Sequence, residues 1–96
     1  MTLYYKSLGE WKEAIEQYQK ALEIAPRYPE AVLGIAEAYL GLGDQQEAGS
    51  PERAEAYAQA LRFAEQAVQL APADPKARAV LARAYLAVDR LDEALA

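Results

Sequence analysis

Two acidic pairs, Glu13/Glu16 and Asp92/Glu93, come closest in this sequence to an acid–base or metal-binding set. Paired carboxylates can pass a proton or hold a hard cation. Neither pair has the help that such chemistry needs. The chain contains no His and no Cys. Imidazole catalysis, thiolate nucleophiles, soft-metal ligation and disulfides are therefore excluded within it. Lys12, Lys20 and Arg90 lie close to the acidic residues, so both pairs read as solvated helix surface. The sequence has no phosphate-binding glycine loop, nucleophile elbow or zinc motif. No catalytic, cofactor-binding or metal-binding residue is expected, and the chain is not expected to be an enzyme.

Charge and hydropathy narrow the partners. The formal charge is −5, from 10 basic and 15 acidic residues. Nucleic acid needs clustered positive charge and is not an expected partner. The imbalance is uneven: residues 1–49 carry 4 basic and 8 acidic side chains, residues 50–96 carry 6 and 7. Lys76, Arg78, Arg83 and Arg90 make the last segment the basic one. No apolar run has the length of a membrane span. The start, Met1 to Trp11, lacks the basic and apolar regions of a secretion signal. A cytoplasmic protein with no membrane partner is the expectation.

The elements that position these residues are helices. Ala, Leu, Glu, Gln, Arg and Tyr dominate, while Val, Ile and Thr are few. Ninety-six residues suit one small all-α domain with a thin core. The chain also repeats itself. Tyr5 and Tyr39 are 34 residues apart; Tyr39 and Tyr85 are 46 apart, the same period with 12 more. Pro26–Pro29 and Pro72–Pro75 show the same 46-residue offset. Leu8–Ile15, Leu42–Gly49 and Val88–Leu95 follow one template, each with Tyr nine residues before an Ala: Tyr5/Ala14, Tyr39/Ala48 and Tyr85/Ala94.

The boundaries follow from backbone chemistry. Pro26 and Pro72 stop helices; Pro29 and Pro75 open them, where a missing N–H costs nothing. Gly9 and Gly43 are expected at tight turns that need positive φ. Helices are predicted over 2–8, 10–25, 29–42, 51–71, 75–88 and 90–96. The 12 extra residues fall after Ala48, where Gly49-Ser50-Pro51 breaks the register. Ser50 as cap, Pro51 at the first helical position and Glu52 in the first turn make a new start signal. About five of the extra residues should lengthen that helix, by roughly 7 Å. The others lengthen the loop over 44–50, perhaps leaving one helical turn at 45–48.

Two sets of residues carry a family resemblance. Val32, Ile35-Ala36 and Tyr39 share their spacing with Arg78, Leu81-Ala82 and Tyr85. Ala14, Tyr18, Ala21 and Pro26 are matched by Ala60, Ala64, Ala67 and Pro72. This pattern resembles the tetratricopeptide repeat family over nearly the whole chain. Arg78 departs from the family's bulky residue, Ala36 and Ala82 replace Gly, and Ala64 replaces an aromatic for which Phe63 substitutes. The resemblance implies an α-α hairpin superhelix, a solenoid of about three repeats with truncated ends. One domain over 1–96 would divide into a partial repeat 1–28, a repeat with the insert 29–74, and a partial repeat 75–96.

The resemblance assigns roles. Ala14, Ala21, Ala36, Ala60, Ala67 and Ala82 would be close-approach positions. Tyr5, Ile15, Tyr18, Leu22, Ile35, Tyr39, Leu61, Val68, Leu81 and Tyr85 would fill the core, which removes most aromatic side chains from any base- or sugar-stacking surface. Tyr4, Tyr28 and Tyr57 carry no such assignment, and Trp11 would pack between helices at the repeat turn. A concave groove for a peptide or partner protein would present Glu30, Leu33, Gly34, Glu37 and Leu40, then Lys76, Ala79, Val80, Arg83 and Leu86. One version of the family clamps the C-terminal carboxylate of chaperone peptides. Gly34 and Glu37 do not suit that clamp, and Lys76 alone does. Glu30/Lys76 and Glu37/Arg83 are expected to form ion pairs across the groove. The insert is expected on a loop edge, away from it. Apolar residues at the ends, Leu3, Tyr4, Leu91 and Leu95, suggest a homo-oligomer through the end helices. The expected function is a non-catalytic interaction scaffold; the alternative is a regulatory or structural appendage of a larger enzyme or multidomain protein.

Overall fold

Prolines set the starts of three of the four helices in the computed structural model, which describes residues 8–95, and the side-chain surroundings of 9–89. The helices are α1 (Leu8–Ile24), α2 (Pro29–Asp44), α3 (Pro51–Leu70) and α4 (Pro75–Leu95). Two equivalent four-residue connections join α1 to α2 and α3 to α4. In each, an N–H bonds back across three residues: Tyr28 to Ala25 at 3.2 Å, and Asp74 to Ala71 at 3.1 Å. The second is better capped. The Asp74 carboxylate accepts the Lys76 N–H at 3.0 Å, whereas Tyr28 caps α2 with no side-chain bond. At the insert, Ser50 Oγ accepts the Arg53 N–H at 3.2 Å, as the Ser50-Pro51 signal predicts.

The core is centred on α2. Ala31, Val32, Leu33, Ile35, Ala36, Ala38, Leu40, Leu42 and Gly43 are buried nearly all round it. A helix apolar on every side is one with neighbours on every side. α2 packs most extensively on α3, then on α1, with a smaller contact to α4. α3 meets it with a narrow stripe of small side chains, Ala56, Ala60, Ala64 and Ala67, all buried. Their small size lets the helix axes approach. Phe63 supplies the aromatic that Ala64 lacks: its ring stacks on Tyr39, centroids 6.0 Å apart and planes 10° apart.

Several expectations are corrected. Gly9 and Gly43 do not make positive-φ turns, since both lie inside helices. Among the described residues only Gly49, in the insert, has positive φ, at 80°. Gly43 is needed for space instead. A Cβ there would lie 2.6 Å from the Tyr57 ring. The break predicted at 89 is absent, and α4 runs unbroken to Leu95. Val88-Asp89-Arg90-Leu91 holds no Gly or Pro, and no capped restart follows it as Gly49-Ser50-Pro51 follows α2. Residues 45–48 form turns, not a helical turn. Ala82 and Tyr85, expected in the core, are exposed, and Tyr18 is 38% exposed. The predicted helix 2–8, with Leu3, Tyr4 and Tyr5, lies outside the described residues but for its last position. The side chains of Leu91 and Leu95 lie outside them too.

Candidate interaction cleft

Two glycines on one face of α2 open the site. Gly34 and Gly41 are seven residues apart, two helical turns, so both look the same way. α1 carries two rings at the same spacing, Trp11 and Tyr18. Tyr18 fills the space over Gly34, where a Cβ would come within 2.5 Å of its ring, and Trp11 fills that over Gly41. The two helices thus meet backbone against ring, in antiparallel order. Above this contact lies a cleft of about 330 Å³. Trp11, Ala14 and Tyr18 form one wall. Gly34, Glu37, Ala38, Gly41 and Asp44 form the floor, and Arg83 of α4 closes the far side.

The lining is mixed. Two rings offer apolar and stacking contact. Glu37 and Asp44 bring negative charge, and Arg83 brings a cation with a planar donor fork. Such a surface suits a short protein segment with an apolar anchor and a charged neighbour. Among the described residues, no group of three or more His, Cys, Asp or Glu side chains is placed to hold a metal ion. None of the helices described there is long and apolar enough to cross a membrane.

The ten residues assigned to a groove separate into three sets. Gly34, Glu37 and Arg83 come together in the cleft. Leu33, Leu40 and Val80 are buried in the core beneath it, because α3 and α4 cover that side of their helices. Glu30, Lys76, Ala79 and Leu86 are exposed but do not line the cleft. The expected pairs Glu30/Lys76 and Glu37/Arg83 are not formed among the described residues, which leaves the Arg83 guanidinium available to a ligand. Trp11, Ala14, Tyr18, Ala38, Gly41 and Asp44 were not assigned to a groove from sequence. The signal that marks them is the seven-residue spacing of Gly34 and Gly41 in an otherwise bulky, apolar helix.

The insert reaches this site through one residue. The Tyr57 hydroxyl donates to Asp44 Oδ1 at 2.5 Å, and accepts from Arg53 Nε and Nη2 at 3.2 and 3.1 Å. The Arg53 guanidinium also lies 5.5 Å from the Tyr57 ring centroid. Burial, then the hydrogen bond to the Asp44 carboxylate, push the Tyr57 hydroxyl above its ordinary value. The lengthened start of α3 therefore clasps the end of α2 and holds Asp44 at the rim of the cleft. This corrects the expectation of an insert remote from the groove. On another flank the insert helps enclose a second cavity of about 390 Å³, lined by residues including Lys12, Tyr39, Leu42, Gln46 and Glu52.

Comparison with known families gives two matches. A model described as TPR repeat matches residues 4–43, and one described as tetratricopeptide repeat matches residues 53–96. The gap between them contains the insert. No curated protein and no solved structure matches the chain at a significant level.

Proposed function

The chain belongs to the tetratricopeptide repeat family, and on that premise we propose that its cleft between α1, α2 and α4 binds a peptide or a partner helix. Repeats of this family generally mediate protein–protein interaction, typically as non-catalytic scaffolds. The observation that carries the proposal is the free Arg83 head at an aromatic-walled cleft whose floor is helix backbone. A ligand gains ring contacts from Trp11 and Tyr18 and a charge partner from Arg83, with little side-chain reorganisation.

Selection of peptides from a random displayed library on the wild-type chain tests this. Selected peptides should carry an acidic residue beside an apolar one. Arg83→Glu should weaken them by about tenfold or more, with the melting temperature unchanged because Arg83 is exposed and unpaired. Equal binding to both proteins would count against the cleft.

A second reading, self-association through the end helices, is supported by a specific observation. Tyr85 and Leu86 on α4 are 47% and 57% exposed. Large adjacent apolar side chains on one helix face favour a covering partner.

A further inference from the structure

From the internal repetition of the fold we infer that the partner helix is α4 of a second copy, seated head to tail in the cleft of the first. This rests on the self-association reading and names its geometry. Within one chain, α2 lies against α3 and α4. Its contact face includes Ala36, fully buried, and Tyr39, stacked on Phe63. Forty-six residues on, α4 presents the same types at the same spacing, Ala82 and Tyr85, and both are exposed. α4 is thus built to be covered as α2 is covered, by a helix shaped like α3.

α1 is such a helix. Ala14, Tyr18 and Ala21 stand in the register of Ala60, Ala64 and Ala67. The last three are buried against α2, while Ala14 and Ala21 are half-buried and Tyr18 is exposed. Placing α4 of a second copy against α1 and α2 repeats the way α2 sits against α3 and α4. Tyr85 then meets a ring, Tyr18, as Tyr39 meets Phe63. Charge selects the same pairing. α1 exposes Glu13, Glu16 and Glu23, and α4 exposes Lys76, Arg78 and Arg83. A two-fold contact of α4 with α4 would oppose like charges; α4 against α1 opposes unlike ones. The contact is heterologous, with different surfaces on the two copies, so each copy keeps one free end and growth is open.

Complementation tests the pairing. Tyr85→Asp disables the α4 end and Tyr18→Lys the α1 end. In sedimentation velocity at high micromolar concentration, the wild type should associate, less so as salt rises. Each variant alone should be monomeric, and their equimolar mixture should form a dimer and stop there. A monomeric wild type would overturn both this inference and the self-association reading. A Tyr18→Lys protein that still dimerises, with no gain on mixing, would leave self-association standing and overturn the head-to-tail pairing. Should Tyr18→Lys fail to fold, the native absence of Cys permits a second test. Copies carrying Ala82→Cys and Ala14→Cys, mixed and oxidised, should give the unlike disulfide in excess; a like-with-like excess overturns the inference. Selected-peptide binding to Tyr85→Asp separates the proposals, since Tyr85 does not line the cleft and its loss leaves that site intact.

Discussion

The second hairpin and the chain's fourth helix carry the same residues in different surroundings. Ala36 and Tyr39 on α2 have equivalents Ala82 and Tyr85 on α4. The first pair is covered by α3: Ala36 is fully buried and Tyr39 is stacked on Phe63. The second pair faces solvent. Residue type and spacing specify a helix and its contact face. Burial depends on whether a neighbour arrives, and in a stacked repeat each unit relies on the next. The insert adds to the contrast. It gives α3 a clasp onto α2, through Tyr57 and Asp44; among the described residues α4 has no counterpart.

The largest expected effect separates the two regions by core loss. Ile35 is fully buried, so Ile35→Ala should cost about 2–5 kcal/mol in chemical denaturation. Leu86→Ala, on the exposed face of α4, should stay within about 0.5 kcal/mol in dilute protein. Similar losses at both sites would break the contrast.

Gly43→Ala sharpens it at the clasp. Removing a helical glycine should itself stabilise by about 1 kcal/mol. The new Cβ would lie 2.6 Å from the Tyr57 ring, and overpacking of this kind costs about 1–3 kcal/mol. Net destabilisation, with a changed tyrosine fluorescence, is the expected result; a stabilised variant would show that the ring is not held there.

The smallest effect concerns pH. The folded Tyr57 hydroxyl titrates above its unfolded value of 10.0. Its stabilisation is therefore complete below about pH 10 and is lost as pH rises through the raised value. Tyr57→Phe should cost about 1 kcal/mol at neutral pH, and should show a shallower loss of stability above about pH 10 than the wild type. Parallel alkaline profiles would remove Tyr57 as the titrating group.

Much of this was legible in sequence, for reasons that are local. Ser50-Pro51 marked the start of α3, and Pro29 and Pro75 marked those of α2 and α4, because caps and missing N–H groups act within one turn. Phe63 was legible as the replacement aromatic because it adjoins Ala64. The rotation of α2 about its axis was not legible. Leu33 and Leu40 were assigned to the groove and lie in the core, since phase depends on all three neighbouring helices together. The roles of Gly34, Gly41 and Gly43 were hidden for the same reason: the rings that need their space come from distant positions, 18, 11 and 57. The missing break at Asp89 shows the limit of the template. A repeat pattern can carry the residues of a turn without the glycine, cap and proline that enforce one.

One paired measurement tests the central claim, that neighbours and not residue type decide these equivalent sites. Ala36→Leu and Ala82→Leu make the same change at the same repeat position. In chemical denaturation of dilute protein, Ala36→Leu should cost about 1–3 kcal/mol by overpacking, while Ala82→Leu should change stability by less than about 0.5 kcal/mol. Equal losses at the two positions would contradict the account.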